Sequence, residues 1–83
     1  MKSYRLDLNS ISAIKEFCQI TTSLASEFDV ESGRYKLDGK SIMGMFSLDL
    51  SKPIKVSIIE AKSGDIEAFE KAIEESTFIR RMD

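Results

Sequence analysis

Apolar and polar residues alternate near the start of the chain, where Tyr4, Leu6 and Leu8 are separated by Arg5, Asp7 and Asn9. A period of two sends successive side chains to opposite faces, so this segment predicts a strand with one buried and one wet face. From Ser12 the period lengthens. Ile14, Phe17, Cys18, Thr21, Leu24, Ala25 and Phe28 recur at helical spacing. That stripe predicts an amphipathic helix running to about Phe28, with Ser12 placed to cap its start. Asp29 to Gly33 then predicts a short extended piece holding Val30, a turn at Ser32-Gly33, and a return strand with Tyr35 and Leu37, together a hairpin. Ser41 opens a brief helix from Ile42 to about Leu48, which stops before Pro53, a residue better suited to strand entry than to a helix interior. Ile54, Val56 and Ile58 alternate with Lys55, Ser57 and Ile59 as a further strand. After the turn Ser63-Gly64-Asp65, the residues Ile66, Phe69, Ala72, Ile73 and Ser76 trace one face of a closing helix. Arg80 and Arg81 would sit at the negative end of its dipole. The order strand, helix, strand, strand, helix, strand, helix predicts an α+β layer pair: one antiparallel sheet covered on one face by helices.

Composition narrows what such a layer pair could do. The 83 residues make a single domain, 1–83, with one core. Hydrophobic residues at 42% and charged residues at 31% place it with folding globular chains and away from disorder. Twelve basic against fourteen acidic residues leave a net charge of −2, with no basic stripe, so direct nucleic-acid binding is not expected. Cys18 is the only cysteine, which fits a reducing compartment. No apolar run approaches the length of a membrane span and no signal-peptide segment is visible, so no membrane insertion and a cytoplasmic location are expected. With one cysteine and no histidine, zinc chemistry and Cys–His or Ser–His–Asp nucleophilic schemes drop out, and neither a metal nor a cofactor is expected.

The segment Lys40-Ser41-Ile42-Met43-Gly44-Met45-Phe46-Ser47-Leu48 resembles the regulatory segment of the HPr phosphocarrier family, which reads K-S-I-M-G-x-M-S-L. The resemblance extends to Ala25-Ser26-Glu27-Phe28 and to the Ile54–Ile58 strand. It implies an HPr-like open-faced β-sandwich over the whole chain, a four-stranded antiparallel sheet covered on one face by three helices (βαββαβα). The family's active centre, G-I-H-A-R-P-A, falls on Ser12-Ala13-Ile14-Lys15-Glu16-Phe17-Cys18 when counted back without a gap from Ala25-Ser26. Ile14 then stands at the phosphohistidine position, Glu16 at the arginine and Phe17 at the proline. A phosphoramidate needs an imidazole nitrogen, and Ile14 offers only carbon. Glu16 would also repel a phosphoryl group. Read from the residues alone, Ile14, Phe17 and Cys18 simply extend the buried stripe, and Ser10 and Ser12 are turn and cap residues with no base beside them.

Ser41 has two readings, a helix N-cap or the regulatory phosphorylation site that the resemblance implies. On a helix, Ile42, Met43 and Phe46 share one side while Met45 and Leu48 fall on another. The resemblance turns the second pair inward and leaves the first three, beside Lys40, as an exposed patch for protein docking. Gly44 in mid-helix points to close packing or to room for a partner's backbone. The expected function is a non-catalytic regulatory or binding protein of bacterial sugar phosphotransfer or carbon catabolite control, similar to the catabolite-repression HPr homologues. It would be regulated at Ser41, with a serine kinase and a transcriptional regulator or transporter component as protein partners. The alternatives are an orphan interaction module on the same scaffold and a genuine phosphotransferase component.

Overall fold

The computed structural model describes residues 2–49 and 51–82; Met1, Leu50 and Asp83 lie outside the described residues. The elements are β1 (Lys2–Asp7), α1 (Ile11–Thr22), β2 (Glu27–Ser32), β3 (Tyr35–Asp38), α2 (Ile42–Phe46), β4 (Ile54–Ile59), α3 (Asp65–Glu75) and β5 (Arg80–Arg81). All strand pairs are antiparallel, in the order β3-β2-β4-β1-β5. Register explains the two faces. Tyr4, Val56, Val30 and Leu37 align across four strands, and this row faces a core shared with Ala13, Ile14 and Phe17 of α1, Met45 of α2, and Phe69 and Ile73 of α3. The next row, Arg5, Lys55, Glu31 and Lys36, lies on the opposite, wet face, where Lys55 pairs with Glu31 at 3.6 Å and Lys36 with Asp29 at 3.3 Å.

Phe69 ties the layers together, its ring centroid 5.2 Å from Tyr4, 6.3 Å from Phe17 and 5.1 Å from Phe28. Such tilted and edge-on aromatic contacts add to the apolar burial itself. At the β2–β3 turn, Ser32 pairs with Tyr35. Gly33 there adopts φ +58°, a left-handed conformation that glycine takes without a Cβ clash.

Four boundaries differ from the sequence expectation. The first helix ends at Thr22 rather than near Phe28, and Ser10 rather than Ser12 caps it, its hydroxyl accepting from Ala13 N at 3.1 Å. The run Thr21-Thr22-Ser23 ends the helix: Thr22 Oγ1 donates to Cys18 O at 2.7 Å and Ser23 Oγ to Ile20 O at 2.7 Å, hydroxyls competing for carbonyls of the last turn. Phe28 thus joins Val30 on the buried face of β2, a period-two pair that also satisfies the helical spacing. The short helix stops at Phe46, two residues before Leu48. The sheet has five strands, not four, because the closing helix ends at Glu75 and Arg80–Arg81 leave it to pair with β1. Ser76 makes that exit: its backbone is extended, and its hydroxyl accepts from Phe78 N at 3.1 Å and Ile79 N at 2.9 Å while donating to Glu16. Arg81 then lies over the Tyr4 ring at 5.0 Å, a cation–π contact. Two arginines on a two-residue edge strand also discourage further strand addition.

Candidate functional site

Three segments bear on function: the start of α1, the short helix α2, and the groove between them. Ile14 and Phe17 are buried in the core, so the position expected for a phosphohistidine holds a hydrocarbon facing inward. Glu16 accepts the Ser76 hydroxyl and thereby fastens α1 to the turn before β5. Cys18 is buried too, and desolvation pushes its thiol pKa up, which keeps it in the protonated, unreactive form.

The α2 helix is positioned from its N-terminal side. At its start, the Ser41 hydroxyl accepts from Gly44 N at 3.2 Å, one of the orphan N–H groups of a helix start. Upstream, Gly39 N donates to Phe28 O at 2.7 Å and Thr21 Oγ1 donates to Gly39 O at 2.9 Å, pinning the approach to the sheet and to α1. Gly44 answers the packing question raised by its place in a helix, since a Cβ there would lie 3.2 Å from Ser41 Oγ and 3.4 Å from Leu37 Cδ1. Met45 and Leu48 are buried, whereas Ile42 is 38%, Met43 77% and Phe46 44% exposed. The three exposed apolar side chains therefore stand together on one short helix with the Ser41 hydroxyl at its head.

Lys40, beside Ser41, turns back: its ammonium donates to Leu24 O at 3.0 Å and its backbone N–H to Asp38 Oδ1 at 2.9 Å. With Ile42 it forms one wall of a shallow groove of about 380 Å³ whose other wall is Lys15, Cys18, Gln19 and Thr22 of α1. The groove extends the α2 patch onto α1. Lys15, Gln19 and Thr22 were missed as site residues, although their i, i+4, i+7 spacing places them on one stripe beside the buried one.

Asp65, at the head of α3, accepts from Ser26 N at 2.9 Å and Ser26 Oγ at 2.7 Å, and Ser26 Oγ accepts in turn from Lys62 N at 2.7 Å. These bonds hold the Asp65 carboxyl below its ordinary pKa and lock the α1–β2 connection to α3. Among the described residues, no cluster of His, Cys, Asp and Glu could hold a metal ion, and no helix is long and apolar enough to cross a membrane.

No protein-family model and no curated protein matches the sequence. Among solved structures, the crystal structure of HPr-C-His from Thermoanaerobacter tengcongensis is similar, with a TM-score of 0.71 and 27% sequence identity over 89% of this chain and 92% of that chain. The match spans nearly the full length of both chains, and the β-α-β-β-α-β-α order through α3 is the one implied by the Lys40–Leu48 segment. The chain therefore has an HPr-like fold, and its own sequence contains no histidine.

Proposed function

We propose that this chain is a non-catalytic regulatory or binding protein of sugar phosphotransfer or carbon catabolite control, working in the cytoplasm and docking protein partners through α2. The observation that carries this reading is the exposure of Ile42, Met43 and Phe46 on a helix whose Met45 is buried and whose N-cap is Ser41. Burying three such side chains against a partner removes apolar surface from water at about 25 cal/mol per Å², and a methionine in the patch adapts its shape to the partner. Phosphorylation at Ser41 would set a dianion at the rim of that patch. There it would either pair with a partner's arginine or clash with a carboxylate. A serine kinase is the partner for modification, and a transcriptional regulator or transporter component the partner for docking.

The absence of histidine from the sequence removes the phosphoramidate step, so the role is binding and not transfer. Incubation with an HPr serine kinase and ATP tests the regulatory half. One acid-stable phosphate is expected on the wild-type chain and none on Ser41→Ala. Failure of the kinase to modify the wild-type chain would leave the orphan interaction module as the better reading.

A further inference from the structure

We propose that the cleft between the β2–β3 turn and the loop after α2 binds the phosphate group of a small phosphate monoester. The cleft has a volume of about 360 Å³ and is lined by Ser32, Arg34 and Tyr35 on one side and by Ser47, Asp49 and Lys52 on the other. Its cations are not held in ion pairs. Lys2, Lys36 and Lys55 each pair with a carboxylate, whereas Arg34 and Lys52 make no ion pair among the described residues. The one acid in the cleft is already engaged, since Asp49 Oδ1 accepts from Ser51 N at 3.1 Å and Ser51 Oγ at 2.6 Å. Lys52 lies near enough to help hold the Asp49 carboxyl below its ordinary pKa, but the two cations still outnumber it.

A phosphate monoester has only acceptor oxygens toward the protein, so it needs donors. Arg34 supplies a planar fork and Lys52 a point charge, the two forms in which proteins meet phosphate. The Ser32 hydroxyl adds a neutral donor, while the Ser47 proton is spent on Gly44 O at 2.6 Å. Tyr35, 73% exposed, forms an apolar wall beside this charge. Its ring face offers the organic body of a monoester a contact that inorganic phosphate cannot use, which is why the ligand is assigned as an ester. The cleft involves neither Ser41 nor the Ile42/Met43/Phe46 patch, so this inference stands apart from the proposed regulatory role.

Amide chemical shifts followed by NMR during titration with phenyl phosphate, inorganic phosphate or phenol, at constant ionic strength, test it. Saturable shifts confined to residues 32–35 and 47–52 are expected with phenyl phosphate, at lower concentration than with inorganic phosphate and with none from phenol. Arg34→Ala and Lys52→Ala should each weaken binding by about threefold or more, as expected for exposed charge pairs, and Asp49→Asn should tighten it by removing a repulsive charge. All three side chains are exposed, so the variants should fold, and their spectra report folding directly. Shifts that never saturate, that match those from inorganic phosphate at equal concentration, or that survive the double Arg34→Ala, Lys52→Ala change would overturn the proposal.

Discussion

Replacing Ile14 with histidine restores the missing residue type without restoring its setting. Ile14 is 3% exposed and packs in the apolar cluster with Ala13, Phe17 and Cys18, so the imidazole enters a site with no polar partner. Leaving its ring nitrogens without hydrogen bonds costs about 1–3 kcal/mol. For a domain of this size that lowers Tm by about 4–24 °C, taking about 4–8 °C per kcal/mol. The penalty should grow on acidification. Burial disfavours the imidazolium, so the folded-state pKa falls below the unfolded value of about 6.5. Below that pH the unfolded chain binds a proton that the folded chain resists, and stability drops as pH falls toward the lowered folded pKa. Thermal unfolding by circular dichroism at pH 7.5 and 5.5 measures both effects. In parallel, the variant is mixed with the sugar-transport phosphotransfer enzyme, phosphoenolpyruvate and magnesium. No acid-labile phosphate should form, because the ring is buried and Glu16 lies two residues away, a carboxylate that repels an incoming phosphoryl group. A variant as stable as the wild type that is phosphorylated efficiently would refute both the burial argument and the reading of Glu16.

Gly39→Ala should destabilise the fold by about 1–3 kcal/mol, as overpacking does, because its Cβ would lie 2.8 Å from Phe28 Cβ and 3.2 Å from Phe28 O. Hydrogen bonds to Phe28 and Thr21 prevent the backbone from retreating, and urea unfolding reads the loss. Ser26→Ala leaves the Lys62 N–H without its acceptor and should cost about 1–3 kcal/mol in the same assay. It should also flatten the acid limb of stability. The folded Asp65 pKa is lowered chiefly by the Ser26 hydroxyl, so its contribution is present above the unfolded carboxylate pKa of about 3.9 and lost as pH falls through the lowered folded value. An unchanged midpoint for Gly39→Ala, or an unchanged acid limb for Ser26→Ala, would contradict the packing and hydrogen-bond geometry described.

Much of the architecture is written in short-range pattern. The strand at Tyr4–Leu8, the hairpin around Gly33, the capped helix after Ser41 and the Ile54–Ile58 strand each follow from periodicity and turn chemistry that neighbouring residues supply. The misplaced boundaries share a different cause. Leu24 and Phe28 fit a helical stripe as well as Phe28 and Val30 fit a strand, and the tie is broken by the carbonyl bonds of Thr22 and Ser23 together with the pairing of β2 against β4. Arg80 and Arg81 satisfy the dipole of a helix end, yet the long-range bond between Ser76 and Glu16 and the stacking of Arg81 on Tyr4 draw them into the sheet. In the candidate site, helical spacing separated Ile42, Met43 and Phe46 from Met45 and Leu48, and the resemblance to HPr decided which side faces inward, as the burial of Met45 and Leu48 bears out. The groove with α1 was not legible, because it exists only where Gly39 and Lys40 bring two segments together.

Capture from lysate tests whether α2 is a docking surface. Wild-type, Met43→Lys and Phe46→Ala chains are immobilised and exposed to lysate from the source cells. Bound proteins are identified by mass spectrometry, and affinities for the purified partner are then measured by calorimetry. Both changes fall on exposed side chains, so their stability should stay within about 0.5 kcal/mol of wild type. A discrete protein partner is expected on the wild-type chain, bound at least about tenfold more weakly by each variant, a loss of about 1.4 kcal/mol. A partner held equally by all three chains, or no partner on the wild-type chain, would contradict a docking role for α2.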